Sequence, residues 1–429
     1  MVRILKKILE RLIPSFIFSR MIVAYHFLLS LFSALIAGFP SRKLFVIGIT
    51  GTKGKSSVSE MMNAILEEAG YRTALANTIR FKIDKDSRRN LFKMTMPGRG
   101  FLQHFLKEAK KKDCTHVVFE ITSEGARQFR NAFIDLNALI FTNIAPEHIE
   151  SHGSYDAYKQ AKLSIGMSIL HSSKRPRIIV ANPNDEVGKK FLAIPAEKVI
   201  PFQLDDAKPY QTNTNKISMT FKGVTFDVPF PGTFTIENAL SVATLADAIG
   251  ISPEVIGRAL QHIRPIEGRV EKIELGQKFS AIVDYAHTPD SLKALYGAFP
   301  NVRKICVLGN TGGGRDTWKR GEMGAIADKE CDVVILTNED PYDEDPVKIV
   351  EAMRAGMARA PLIIMNRRGA IREALRVATL QQAEGDKNVA VLITGKGTDP
   401  YIMGASGEKT PWSDSGVVRE ELEKILHKK

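Results

Sequence analysis

The sequence predicts an α/β protein, two successive parallel-sheet units behind a short helical N-terminal extension. Three observations carry this reading. An apolar strand signal at 44–50 runs through a glycine-rich turn into a helical pattern at 58–69. From 304 to 394, strand and helix signals alternate as in a doubly wound sheet. The 429 residues, 44% hydrophobic and 25% charged, suffice for two to three domains with cores of their own; collagenous, low-complexity and wholly disordered classes are excluded. Cys114, Cys306 and Cys331 are odd in number and far apart. They predict no disulfide framework and no zinc pattern, and fit a reducing cytosol. Net charge is +12, from 60 Lys+Arg against 48 Asp+Glu. Half of that excess lies in residues 1–43, where Arg3, Lys6, Lys7, Arg11, Arg20, Arg42 and Lys43 face one acid, Glu10. The remainder is only mildly basic, which argues against a nucleic-acid partner.

In chain order, residues 2–13 place Ile4, Leu5, Ile8, Leu9, Leu12 and Ile13 at helical spacing, opposite Arg3, Lys6, Lys7, Glu10 and Arg11. Such a basic amphipathic helix suits an anionic membrane face. Residues 21–39 are apolar except for Tyr25, His26, Ser30 and Ser33, barely long enough to span a bilayer. A membrane anchor, an uncleaved signal and a helix docked on the next domain stay open. The expectation is docked helices, with peripheral membrane contact through residues 1–40 as the alternative.

The first chemical motif is Gly51-Thr52-Lys53-Gly54-Lys55-Ser56-Ser57. Its glycines let backbone N–H groups approach an anion, and the following helix adds its dipole. Lys55 would reach the terminal phosphates of a bound anion and the Ser56 hydroxyl would ligate Mg²⁺. The strict pattern wants glycine where Ile49 stands, so the loop is a variant using Gly51. A second strand at 116–122 carries Glu120 at its carboxyl end, the crevice side of an open sheet, which makes it a metal-ligand candidate. A third, at 136–144, leads to Glu147, His148 and His152, then to a helix with Tyr155, Tyr158, Ala161 and Lys162. His148 and His152 have the spacing of a zinc pair on one helical face. Gly153-Ser154 predict a loop there instead, and no third ligand is evident. The stretch 217–230 predicts strands turning at Lys222-Gly223, and 236–249 and 252–263 predict core-packing helices. A strand then runs into Asp284, and Pro289 opens a helix. The final segment predicts strands at 304–310, 332–338, 361–366 and 388–394, with helices at 319–329, 345–358 and 369–383.

These motifs resemble the Mur ligase family, over residues 44 to about 415. The run from Thr50 to Ser56 looks like its phosphate loop. Thr142-Asn143, Glu147-His148, His152-Gly153-Ser154 and Ala161-Lys162 look like its second signature, with Glu147 where the family usually has Asp. The resemblance implies metal roles for Ser56, Glu120, His148 and Lys162, the lysine as a carbamate, and makes Lys55, Glu120, His148 and Lys162 the catalytic set. Glu120-Ile121-Thr122-Ser123 resembles a metal- and substrate-binding motif, with Gln128 and Arg130 at matching spacing and Glu124 where a His is usual; Thr95 falls in a similar substrate loop. Asn238, Arg269, Asp284 and His287 match nucleotide-contacting positions, alongside Gly51, Thr52, Lys53, Gly54, Lys55, Ser56 and Ser57. Arg315, Lys319 and Arg320 resemble a basic substrate loop. Asp340, Pro341, Tyr342, Gly395 and Asp399 fall where the family reads the incoming amino acid.

The implied organisation is a helical extension (1–42), a P-loop ATPase-like central domain (43–264) and a Rossmann-like C-terminal domain (265–429). The family's usual uridine-nucleotide domain has no counterpart in the first 42 residues. The implied activity is ATP- and Mg²⁺-dependent peptide-bond formation through an acyl phosphate, between a muramoyl-peptide carboxylate and a free amino acid. That places it in peptidoglycan precursor synthesis, and so in cell shape and division. The resemblance is nearest to the third-residue ligase. A folate-polyglutamylating ligase, a ligase on a lipid-linked muramoyl peptide, and a catalytically weak membrane-associated ATP-binding protein are the alternatives. Location is expected to be cytoplasmic, with or without membrane association. Tyr342 stands where diaminopimelate-adding members have Arg, and Asp343, Glu344 and Asp345 follow it. Charge alone therefore predicts a basic amino acid such as lysine, with Arg315 as the residue that would serve a second carboxylate.

Overall fold

The computed structural model describes residues 14–98, 100–147, 149–385 and 388–427. Its larger sheet comprises β1 (Phe45–Thr50), β2 (Thr73–Ala76), β3 (Arg80–Ile83), β4 (Asp86–Arg89), β5 (His116–Glu120), β6 (Ala138–Phe141), β7 (Ile178–Ala181) and β8 (Lys198–Pro201), in the order β4-β3-β2-β5-β1-β6-β7-β8. All neighbours pair parallel except β2–β3 and β3–β4. β1 is buried on both faces because helices cover both sides. Ile47 and Ile49 pack with Val58, Met61 and Ile65 of helix Lys55–Glu68, while Leu44 and Val46 pack with Phe105, Leu106 and Ile165. The sheet order reverses around β1, between β5 and β6, so the crevice opens where these three strands end.

A small antiparallel sheet of β9 (Gln211–Thr212), β10 (Ile217–Phe221) and β11 (Val224–Val228) turns at Lys222 and Gly223, both at positive φ. The second large sheet holds β12 (Glu271–Ile273), β13 (Ser280–Val283), β14 (Arg303–Leu308), β15 (Val333–Leu336), β16 (Leu362–Ile363) and β17 (Val389–Ile393), in the order β12-β13-β17-β14-β15-β16. Only β12 runs antiparallel. Period-two alternation sends Cys306 and Leu308 into one layer and Ile305 and Val307 into the other.

One expectation is corrected here. Cys306 and Cys331 form a buried disulfide, and Cys114 is the free, buried thiol. Their 25-residue separation hides a close approach, because helix Lys319–Glu330 returns the chain to the start of β15, the parallel neighbour of β14.

The predicted helix at 2–13 lies outside the described residues. The next segment is a helix, Ser15–Ala37, closed by Gly38 at φ +73°. A single stripe of it, including His26, Ser30, Ser33 and Ala34, turns toward the body. Ser30 donates to Phe129 O at 2.8 Å, and Phe27 meets the Phe129 and Phe133 rings edge-on.

Candidate active site

The turn after β1 is shaped by two glycines that nothing larger could replace. At Gly51 (φ +142°) a Cβ would lie 2.0 Å from Thr142 Oγ1, and at Gly54 (φ +81°) 2.5 Å from Asn238 Oδ1. The turn is fastened to the end of β6. Thr52 N–H donates to Asn143 O (2.8 Å), Lys53 N–H to Asn143 Oδ1 (3.0 Å) and Thr142 Oγ1 to Lys53 O (2.7 Å). Two lysines hold it from within. Lys55 Nζ donates to Gly51 O (3.0 Å) and Thr52 O (2.8 Å), and the buried Lys162 Nζ donates to Gly51 O (2.8 Å). Burial lowers both pKa values against the opposing pull of Glu120 and Glu147, Lys162 well below the usual lysine range with Lys55 adding to the shift.

At the end of β5, buried Glu120 accepts from Thr78 N–H and Thr78 Oγ1, each at 3.0 Å, and Thr95 Oγ1 lies 2.7 Å from that hydroxyl. Ser123 Oγ is 3.2 Å from His152 Nε2, and Arg130 donates to Gln128 Oε1 (2.5 Å) and to Met96 O. His148 lies outside the described residues. The predicted loop around His152 is instead a helical turn, Ile149–His152. Gly153 (φ +83°) donates its N–H to Ile149 O and so ends the turn rather than preventing it.

The C-terminal sheet closes the other side. Arg269 lies 4.5 Å over the Tyr285 ring and donates to Ser56 Oγ at 3.3 Å. Asp284 accepts from Val270 N–H and Ala286 N–H, each at 2.7 Å, and burial pushes its carboxyl up. His287 Nε2 meets Glu147 Oε1 at 2.8 Å, Lys53 meets Asp290 at 3.3 Å, and Glu150 N–H donates to Asp316 at 3.1 Å. Gly268 (φ +60°) has backbone packed on it: a Cβ would lie 2.6 Å from Gly397 C and Thr398 N.

One cleft of about 630 Å³ results. It collects the predicted residues Thr52, Lys53, Gly54, Lys55, Ser56, Ser57, Thr95, Glu120, Ser123, Gln128, Arg130, Asn238, Arg269, Asp284, His287, Arg315 and Lys319. Gly51 and Lys162 sit behind the loop rather than on the cleft wall. Arg320, Asp340, Pro341, Tyr342, Gly395 and Asp399 do not line it either.

The acids expected to attract an ammonium at this last group already have partners. Asp340 accepts from Lys396 (2.8 Å), from Lys93 and from Met403 N–H (2.8 Å), and Asp399 lies 3.3 Å from Lys93. Glu344 is held by Arg320 at 2.5 and 2.9 Å. Asp343 accepts from Ser406 N–H, and Asp345 caps helix Pro346–Arg354 through Val347 N–H. Gly395 is fixed by Glu339, whose Oε2 would lie 2.1 Å from a Cβ there.

Sequence reasoning missed Thr78, Lys93 and the Glu147–His287 contact. Thr78 follows β2 at the crevice end of the sheet, a position that strand assignment there would have flagged.

Residues 49–246 match the Mur ligase middle domain, and residues 268–397 match the Mur ligase, glutamate ligase domain. The UDP-N-acetylmuramoyl-L-alanyl-D-glutamate–2,6-diaminopimelate ligase of Syntrophomonas wolfei is 32% identical over 391 residues, 87% of this chain and 78% of that protein. Its counterpart from Aquifex aeolicus is 33% identical over 397 residues, 90% and 79%. Among solved structures, Acinetobacter baumannii MurF aligns over 92% of this chain and 80% of its own at TM-score 0.67 and 18% identity. Mycobacterium tuberculosis folylpolyglutamate synthase aligns over 86% and 92% at TM-score 0.69 and 16% identity, a likeness of fold alone.

Proposed function

The chain belongs to the Mur ligase family as an ATP-dependent ligase of peptidoglycan precursor synthesis, and from that premise we propose that it is a third-residue ligase, joining a muramoyl-dipeptide carboxylate to a free amino acid. The observation that carries this reading is the single cleft that holds the phosphate loop and Glu120 on one wall and Arg269, Asp284 and His287 on the other. ATP phosphates sit against the backbone of 51–57, and Lys55 leaves its loop carbonyls to meet them. Asn238, Arg269, Asp284 and His287 border the nucleotide, while Thr95, Ser123, Gln128 and Arg130 hold the muramoyl peptide. The peptide carboxylate attacks the γ-phosphorus and ADP leaves; the amino group then attacks the acyl carbon and phosphate leaves. A cleft closed by both domains keeps water from the acyl phosphate.

The oxygen donors Ser56 Oγ and Glu120 fit Mg²⁺, a hard cation. When bound, Mg²⁺ would offset repulsion between the reacting anions. Lys162 fits that ion only after modification, since an ammonium repels it. Its lowered pKa supports carbamylation, because the neutral amine adds to CO₂ and releases one proton. Arg315 lines the cleft without an ion pair among the described residues, and Asp340 and Glu344 beyond it are ion-paired. This supports an amino acid with a distal carboxylate, of the diaminopimelate class, over lysine. The enzyme would act in the cytoplasm, with helix Ser15–Ala37 as its point of membrane contact.

The test measures phosphate release from ATP with UDP-muramoyl dipeptide and, in parallel, meso-diaminopimelate, L-lysine or L-ornithine. Release that requires both the dipeptide and diaminopimelate is expected. Release with a folate and glutamate instead, or with none of these acceptors, overturns the proposal, and a preference for lysine overturns the role of Arg315.

A further inference from the structure

Helix Ser15–Ala37 holds a concentration of exposed apolar side chains found in no other element among the described residues. Of the twenty large hydrophobics exposed among the described residues, nine lie on it, among them Tyr25 (60%), Phe32 (58%) and Ile36 (79%). Scattered exposed hydrophobics are ordinary; one continuous face of them marks a docking surface. Within Arg20–Ala37 the mean hydropathy is 1.7 and only 6% of residues are buried. Yet the helix is not free to cross a bilayer. Ser30 is tied to Phe129 O, Phe27 lies edge-on to two rings, Ala34 is fully buried, and Ser33 Oγ lies 2.3 Å from where a Cβ on Gly100 would be. A helix fixed to the body along one stripe can present only its opposite face to lipid, so it lies along a membrane surface. Charge points to an anionic one. Exposed Arg20, Arg42 and Lys43 flank the apolar face, and Arg3, Lys6, Lys7 and Arg11 precede it in sequence.

Beneath the helix is a cavity of about 450 Å³. Tyr25, His26 and Leu29 of the helix form one wall, and Phe92, Pro97 and Phe101 the other. The cavity is continuous in lining with the catalytic cleft: Met94, Gln128 and Arg130 face both. An apolar chamber at the lipid face therefore meets a guanidinium on the route to the phosphate loop. That sequence matches an amphiphile with an apolar tail, an anionic linker and a carboxylate-bearing head.

We propose that the outer face of helix Ser15–Ala37 rests on an anionic membrane surface, and that the cavity beneath it admits the lipid end of a membrane-borne muramoyl-peptide acceptor, whose carboxylate reaches the cleft past Arg130. This rests on the muramoyl-peptide reading above and adds where the acceptor comes from.

The test uses the full chain. Flotation with vesicles containing phosphatidylglycerol, and with vesicles of phosphatidylcholine alone, reads membrane binding. Binding to the anionic vesicles that weakens as the Debye length shrinks to about 8 Å at physiological salt is expected. The double variant Phe32→Glu/Ile36→Glu should lose that binding and keep wild-type ligation of the soluble UDP-linked dipeptide. Ligation is then compared for the UDP-linked dipeptide in solution and a polyprenyl-pyrophosphoryl-linked dipeptide in vesicles. The wild type should favour the lipid-linked acceptor. Leu29→Trp, which narrows the cavity, should lower kcat/KM for that acceptor by about tenfold or more while sparing the soluble one. No vesicle binding, a concentration-dependent dimer that hides the face, or equal loss on both acceptors overturns the inference. Turnover of the soluble acceptor alone overturns it too and leaves the proposed reaction standing; turnover of neither overturns both.

Discussion

Two buried lysine sites in this chain have opposite electrostatic bookkeeping. Beneath the phosphate loop, Lys55 and Lys162 donate to backbone carbonyls and, among the described residues, to no carboxylate. In the C-terminal loops, Lys396 sits fully buried against Asp340 and Asp399, and Lys93 reaches over from the central domain to the same two acids. At the first site the cation of Lys55 is held by loop carbonyls, which a phosphate can replace. The second has neutralised itself and serves as a clasp between domains. A basic residue in a loop therefore says little until its partner is known.

The sharpest way to break this comparison is Lys55→Ala. Removal of the cation that would meet the phosphates should cut ATP-dependent ligation by about 10³-fold or more, some 4 kcal/mol of barrier, with the circular dichroism spectrum unchanged. Turnover near the wild-type rate would remove the phosphate-loop assignment. At the second site, Lys396→Met should instead cost stability, about 3 kcal/mol in a urea titration, because it leaves two buried acids to Lys93 alone. Adding Asp340→Asn should recover part of that loss; a single variant as stable as wild type would mean that the clasp is not a clasp.

Lys162 gives a pH test. Its pKa is lowered in the folded protein from an ordinary value of 10.5, so between the two values the unfolded chain holds the extra proton. Stability should then rise with pH across that window. Melting temperatures of wild type and Lys162→Met, followed from neutral to alkaline pH, should show the wild type gaining on the variant. Parallel curves would contradict the shift. If the carbamate forms, activity depends on bicarbonate, and short-chain carboxylic acids partly rescue Lys162→Ala. The smallest effect belongs to Asp345→Ala, which removes a helix cap. It should cost about 1 kcal/mol in stability and leave the preference among amino acids unchanged. A shifted preference would restore Asp345 to the acceptor site.

Much of the central site was legible because it is local. Strand, glycine turn and helix at 45–68 follow one another in sequence, as do the strand into Asp284 and the helix opened by Pro289, where Thr288 and Ser291 complete a capping box. What was not legible depends on partners brought in from elsewhere. Glu147 and His287 are 140 residues apart, and Lys93 and Asp340 are 247 apart. Asp340, Asp343 and Glu344 looked like a field open to solvent, because their partners Lys93, Lys396, Ser406 and Arg320 all lie outside the loop. Lys162 was found by resemblance, but its place behind the loop follows from the docking of helix Tyr155–Ser168, which spacing alone does not give.

The glycine at 268 has a mechanical consequence. Backbone of Gly397 and Thr398 fills the space beside it, Gly268 N–H donates to Glu271, and Val270 N–H donates to Asp284. Residues 268–270 are thus bolted to the C-terminal sheet and must turn with it. Any rotation between the domains has to be taken up upstream, at 264–267, where Glu267 pairs with Arg89 of β4 at 3.0 Å. Arg269 is then the short arm of a lever whose fulcrum lies just before it. A few degrees at the pivot swing the whole C-terminal domain through a wide arc, yet shift that guanidinium only slightly against Ser56. The Arg269–Ser56 contact is thus the one that domain motion disturbs least.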